Sequence, residues 1–484
     1  MRDVIVIGGG VAGLVAARDC AHIGLRVTVY EATDAVGGAV SSHQVAGLTL
    51  DSGADSFATR RGSVATFLDG LGLADEIISP NSAGAWLCLP DEGPRGGVVS
   101  VPLPKTGLLG IPGSPLADDV RLAIGWKGAW RAYCDRIIPV LKIGREHNLG
   151  QLVEKRMGRR VLERLVEPVA SGVYSAPANQ LEVDAVAPGL NSALTTFGSL
   201  SGAVMALRSQ APAGSAVGGI RGGMAGLVSA LLADLQLYGV EIVTRTAVSG
   251  LSVTGEGENA RWTVALASEE GAPPTEAAEA RFVIVATPGT QAMDLLRPLG
   301  AEYEALADLD WPEPPAVELV TLVLDAPALD AHPRGTGALV AAGTPGIEAK
   351  ALTHLSAKWA WVSEAAGPGR HVLRLSYGLA GKDNPTTQLG NDELRSLAVR
   401  DASAILGVEL NEDDVRGFAR TVWRDALSPA TVGARDRVNA VREAVAATPG
   451  LEVTGGWLAG TGLASVIPDA REAASRTRHA AIGL

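Results

Sequence analysis

Gly8-Gly9-Gly10-Val11-Ala12-Gly13 constrains this chain more than any other stretch, because it sets G-x-G-x-x-G between an apolar run and a helical pattern. Val4-Ile5-Val6-Ile7 before it reads as a strand buried on both faces. Leu14, Ala17, Cys20 and Ala21 after it recur at helical spacing, and Arg26-Val27-Thr28-Val29-Tyr30 reads as a second strand ending at Glu31. Each part has a physical task in binding a dinucleotide. Gly8 permits a tight turn, Gly10 lets the backbone approach a pyrophosphate, and Gly13 lets helix and strand pack closely. The free N–H groups and positive dipole end of the helix then face the phosphates. Glu31 stands where a carboxylate bonds the ribose hydroxyls and repels a 2′-phosphate.

At 484 residues the chain exceeds one ordinary core, so two or three packed subdomains are expected. A hydrophobic content of 47% with 19% charged residues describes a globular chain, not a disordered one. The net charge of −12 excludes non-specific nucleic-acid binding, which needs a basic surface. Cys20, Cys88 and Cys134 are distant and odd in number, which fits reduced thiols and neither a zinc cage nor a disulfide framework. No run approaches the roughly 18 apolar residues of a spanning helix, and no signal peptide is visible, so the expected location is the cytoplasm without stable membrane insertion. The seven histidines show no ligand spacing, so no metal is expected, and no Ser/His/Asp or paired-carboxylate arrangement stands out.

Further along, residues 61–214 read as a mainly helical insert, broken by proline- and glycine-rich stretches at Pro90–Gly97 and Pro102–Pro115. Within it Trp126, Trp130 and Tyr133 fall at helical spacing beside Lys127 and Arg131, a pattern open to an interfacial membrane face, and are read first as a helix packed in the insert because no strong basic cluster accompanies them. A helix through Leu227–Leu232, a strand at Glu241–Thr244, a hairpin over Gly255–Ala280 and a strand at Phe282–Ala286 follow. Residues 301–414 are rich in β-type runs, and from Val415 the chain is expected to return to the dinucleotide fold, with Leu451–Thr454 as its last strand. The resulting class is α/β. A discontinuous Rossmann-like dinucleotide domain (1–60, 215–300, 415–484) is joined by the helical insert (61–214) and a β-rich substrate domain (301–414).

Gly37-Gly38-Ala39-Val40-Ser41-Ser42 resembles the second signature of the two-dinucleotide-binding-domain flavoproteins, with Ala39 where an Arg is common. That choice selects FAD. No second complete G-x-G-x-x-G with its strand and acid follows, so the flavin is expected to be reoxidised by dioxygen. Four further stretches resemble the porphyrinogen oxidases of this superfamily, in order along the chain. They are Gly53-Ala54-Asp55-Ser56-Phe57; Val101–Lys105 with Gly110-Ile111-Pro112; Glu167-Pro168 with Ser171-Gly172-Val173-Tyr174; and Gly222-Gly223-Met224 with Leu227. Gly460-Thr461-Gly462-Leu463 fits the family's C-terminal pattern, whereas Ala464–Asp469 replaces and lengthens what usually follows.

The resemblance implies an FAD-dependent oxidase acting on a porphyrinogen, coproporphyrinogen III first and protoporphyrinogen IX second. A carotenoid desaturase, an amine oxidase and a redox-inactive FAD-binding protein stand as further alternatives on the shared fold alone. It places Gly8, Gly9, Gly10, Val11, Ala12 and Gly13 at the pyrophosphate, Glu31 at the ribose and Val248 at the adenine. Ala39, Gly53, Ala54, Asp55, Ser56, Thr461, Gly462 and Leu463 fall around the flavin ring, with Trp423 close by. Gly172 and Leu339 would line the substrate site and Arg61 would anchor a propionate. No side chain is assigned a catalytic role, since flavin N5 takes the hydride. The FAD is expected to be non-covalent, because Gly460–Asp469 holds no Cys or His. A transient contact with a downstream ferrochelatase is left open.

Overall fold

Val4–Ile7 lie at the centre of a seven-stranded sheet because both of their faces find apolar cover. The computed structural model describes residues 2–94, 96–139, 145–209, 216–255, 261–267, 276–425 and 430–483, apart from the Arg61 side chain. Strand Arg2–Ile7 runs parallel to Val27–Tyr30 on one side and to Glu276–Val285 on the other. Glu241–Val243 extends the parallel part beyond Val27–Tyr30. On its far side, Glu276–Val285 pairs antiparallel with Arg261–Ala267 and then parallel with Leu451–Val453. The turn expected at 269–276 falls largely outside the described residues.

Four helices matter for the site: α1 (Val11–Ala21), α2 (Asp118–Tyr133), α3 (Glu167–Tyr174) and α4 (Leu463–Ile482). Alternation sends Val4 and Val6 into a cluster with Leu14 and Val15 of α1 and Ile467 and Ala470 of α4. Ile5 and Ile7 enter a second cluster with Trp262, Leu296 and Tyr303 on the opposite face. Complete burial of each such aliphatic side chain contributes about 1.5–3 kcal/mol. Cys20 and Cys88 are buried free thiols and Cys134 is a partly exposed one; burial pushes the Cys20 thiol up to about 12.

A second seven-stranded sheet runs in the order 415–423, 317–325, 370–377, 351–354, 337–340, 86–90 and 98–102. It is antiparallel except between Gly337–Val340 and Trp86–Pro90. Two expectations are corrected here. Val415–Trp423 does not rejoin the dinucleotide sheet; it is an edge strand of the second sheet, with Val317 opposite Trp423. Trp86–Pro90 and Val98–Pro102 belong to that same sheet and not to the helical insert, and Leu87, Leu89 and Val101 carry the insert's core on one face. The physical reason is common to both: the edge on which a strand is added depends on distant pairing that local patterning cannot specify.

Helix α2 packs through Val120, Ala123, Ile124, Ala129 and Ala132, but Trp126 and Trp130 point outward at 58% and 54% exposure. The helix is thus packed in the insert through one face, while its two indoles lie on the other, exposed face. Among the described residues no helix is long and apolar enough to cross a membrane.

Candidate functional site

The turn after the first strand is built by backbone contacts too close for a side chain. A Cβ on Gly13 would lie 1.9 Å from the Gly8 carbonyl oxygen, and one on Gly8 would lie 2.7 Å from that of Ala286. Gly8 also has φ of +105°, a conformation that glycine adopts without strain. Gly10 differs: nothing lies within 4 Å of the position its Cβ would take, and it caps α1 with extended geometry. The loop is thus closed by Gly8 and Gly13 and open at Gly10, with Val11 and Ala12 buried behind it. Glu31 is held in place by the Gly9 N–H at 2.7 Å and by the Thr33 N–H and hydroxyl at 2.9 and 2.7 Å. Thr246 N–H donates to the Glu31 carbonyl, which brings strand Ala247–Thr254 and its Val248 beside the acid.

The second glycine pair folds back onto this loop. Gly37 N–H donates to the Gly9 carbonyl at 2.8 Å, and Ala39 then accepts from Ala54 N–H at 2.9 Å. Gly53 lies so close beneath that its Cβ would meet the Ala39 oxygen at 2.2 Å. Trp423 reaches in from the second sheet, donating through Nε1 to the Ser52 carbonyl at 3.0 Å. Trp423 therefore reaches the Gly53 loop from the second sheet and not from the dinucleotide sheet.

Beneath Gly53–Ser56 lies a charge cluster that sequence reasoning missed. Asp55 pairs with Lys358 at 2.7 Å and with Arg374 at 3.1 Å, and Arg374 also donates to the Gly53 carbonyl at 2.8 Å. Burial alone would raise the Asp55 carboxyl, but the two cations outweigh it and hold it well below the usual carboxylate range. Asp51, which accepts the Met224 N–H at 2.8 Å, is pushed up to about 6 by burial and by the neighbouring Asp55 charge. Lys358 is 303 residues from Asp55 in sequence, beyond any spacing argument. The one available signal was Arg374 standing alone in the run His371-Val372-Leu373-Arg374-Leu375, where a buried charge requires a partner.

At the C-terminus, Thr461-Gly462 lead into α4, so Ala464–Asp469 are its first turns and Leu463 joins the core under α1. Arg60 donates to Ser465 Oγ at 3.0 Å, joining the turn after the Gly53–Phe57 loop to the start of α4. Arg61 is in that same turn, Arg60–Gly62, but its side chain is outside the described residues. Val11, Ala12, Val40, Phe57 and Leu463 share one hydrophobic cluster, with Ala54 against its edge. One core therefore underlies the pyrophosphate, flavin-loop and C-terminal segments. The surface fits a dinucleotide: Gly10 is open, Glu31 is positioned, and the buried hydroxyls of Thr287 and Thr461 have no partner among the described residues.

Gly172 of α3 and Leu339 of the second sheet are brought together, with Leu339 Cδ2 only 2.5 Å from where a Gly172 Cβ would lie. The histidines also assemble more than their spacing suggested. His354 Nε2 lies 3.1 Å from His371 Nδ1, whose other nitrogen is 2.9 Å from Asp330. Burial pushes His354 down to about 3, so its own imidazole is neutral, and no group suited to a metal ion occurs among the described residues.

Residues 11–477 match the family described as flavin containing amine oxidoreductase. A coproporphyrinogen III oxidase of Propionibacterium freudenreichii subsp. freudenreichii is 27% identical over 99% of this chain and 91% of that protein. The chloroplastic protoporphyrinogen oxidase 1 of Spinacia oleracea is 26% identical over 98% of this chain and 83% of its own length. A crystal structure from Exiguobacterium sp. 255-15 superposes with a TM-score of 0.80 at 24% identity, covering 100% of this chain and 99% of that one.

Proposed function

The chain belongs to the flavin containing amine oxidoreductase family, and from that premise we propose that it oxidises coproporphyrinogen III to coproporphyrin III. The full-length likeness to coproporphyrinogen III oxidases carries this reading, joined to a site built for FAD. Aromatising the macrocycle removes six electrons in three two-electron cycles, with three dioxygen molecules reduced to three of hydrogen peroxide. Bound FAD supplies the hydride acceptor, N5.

What the chain itself contributes is placement. Gly10 and the α1 N-terminus receive the pyrophosphate, while Glu31 bonds the ribose. The Asp55–Lys358–Arg374 cluster keeps Gly53–Ser56 rigid beneath the flavin ring. Leu339 and Gly172 give an apolar wall for a flat macrocycle, and Arg61 anchors a propionate at its rim. The cytoplasm is the proposed location. Protoporphyrinogen IX, with two fewer carboxylates, is the second reading, favoured by the Spinacia oleracea relative.

Anaerobic mixing of the yellow holoprotein with each porphyrinogen separates the two. Coproporphyrinogen III is expected to bleach the flavin faster at equal, sub-saturating concentration. Faster bleaching by protoporphyrinogen IX would exchange the readings, and no bleaching by either would remove both.

A further inference from the structure

Lys350 is a partly buried lysine whose ammonium meets no counter-charge among the described residues. Its Nζ donates to Ser175 Oγ at 2.5 Å and to the Gly378 carbonyl at 2.6 Å, both neutral acceptors. Among the described residues no carboxylate lies within ion-pair distance of it. Eight positions along, Lys358 has Asp55 at 2.7 Å, so the fold does supply a partner where a lysine serves the framework. Burial pushes the Lys350 ammonium down to about 7, and no charged neighbour offsets that.

Its position is specific. Ser175 ends α3 in the left-handed conformation, three residues after Gly172, and its carbonyl accepts the Ala380 N–H at 2.7 Å. The Lys350 backbone is bonded on both sides, giving its N–H to Ser376 and accepting from Val340. Leu339, which fills the space above Gly172, is paired in register with Ala351. Lys350, Leu339, Gly172 and Ser175 therefore form one patch where α3 crosses the second sheet.

We infer that Lys350 binds a carboxylate of the substrate, holding a second propionate at the end of α3 while Arg61 holds another. The inference rests on the porphyrinogen reading above. An ammonium has three donors, and two are used by Ser175 and Gly378. Neutral oxygens do not compensate a desolvated charge, whereas a carboxylate does. Coproporphyrinogen carries four propionates, more than one arginine can serve.

The test compares the wild-type holoprotein with Lys350→Met and Lys350→Arg. Steady-state oxidation of coproporphyrinogen III is measured alongside titration with the product coproporphyrin III, which needs no turnover. Lys350→Met is expected to raise KM and the product Kd by about tenfold with kcat changed far less, because a peripheral contact is made equally in ground and transition states. Melting temperature should hold or rise, since an uncompensated charge has been removed from the interior. Lys350→Arg should recover part of the loss. KM and Kd within twofold of wild type would overturn the inference, as would a fall in melting temperature with binding unchanged, which would make Lys350 a structural tie. Wild-type protein that neither oxidises nor binds the tetracarboxylates would overturn the underlying function, and the inference with it.

Discussion

Two stretches of chain form the floor of the proposed cofactor site, and they are held by different physics. Gly8–Gly13 is shaped by backbone packing within the dinucleotide sheet: Gly13 against the Gly8 carbonyl, Gly8 against Ala286, and a carboxylate, Glu31, anchored by N–H groups only a strand away. Gly53–Ser56 is shaped from outside, by Arg374 of the second sheet, by Lys358 of the short helix that follows strand Ala351–His354, and by the Trp423 indole from the edge strand. The first needs only contacts within the dinucleotide sheet. The second holds only when two sheets are docked, so flavin binding at the proposed site would depend on that docking.

The sharpest way to break that contrast is Arg374→Met. Asp55 would keep Lys358 but lose its second cation, and the Gly53 carbonyl would lose its donor. Stranding part of a buried charge cluster costs about 3–5 kcal/mol, so denaturant unfolding should show a loss of that order together with lower FAD content. A change below about 1 kcal/mol, the range of an exposed pair, would mean that the loop stands without the second sheet.

Acidity sharpens the same comparison. Asp51 binds its proton more tightly in the folded chain, with a value of about 6 against 3.8 unfolded, so its contribution to stability is full below about 4 and is lost as pH rises to about 6. Asp55 has the opposite sign: held below its ordinary value, its contribution is present at neutral pH and is lost on acidification. Asp51→Asn keeps an acceptor for Met224 and removes the titration. It should therefore be more stable than wild type at pH 7, on the order of 2 kcal/mol, with the gap closing toward pH 4. Parallel melting curves between pH 4 and 7 would contradict this.

The smallest effect is expected at the locally organised half. Glu31→Gln retains one acceptor but loses the charge, which should weaken FAD binding by roughly 1.5 kcal/mol, about tenfold in Kd, while the fold is little altered. An unchanged Kd in a flavin titration would place the ribose elsewhere.

The sequence by itself determined most of the dinucleotide turn, because most requirements there lie within one strand–helix–strand unit. Gly13 is demanded by the Gly8 carbonyl five residues away and Glu31 is placed by the length of α1 and a single strand, whereas the close approach of Ala286 to Gly8 comes from a distant strand. Apolar alternation at Val4–Ile7 likewise announced a strand covered on both faces. Tertiary structure alone decided that Val415–Trp423 and Trp86–Pro90 join the second sheet, since strand addition is set by partners roughly 90 to 250 residues away. It also decided which of two lysines eight positions apart would be neutralised. Lys358 meets Asp55 only because the two sheets dock, whereas Lys350 reaches the end of α3 and finds neutral oxygens. A charge carries no mark in the sequence of the partner it will meet, because electrostatic energy depends on distance in space and on burial, and both are properties of the packed fold.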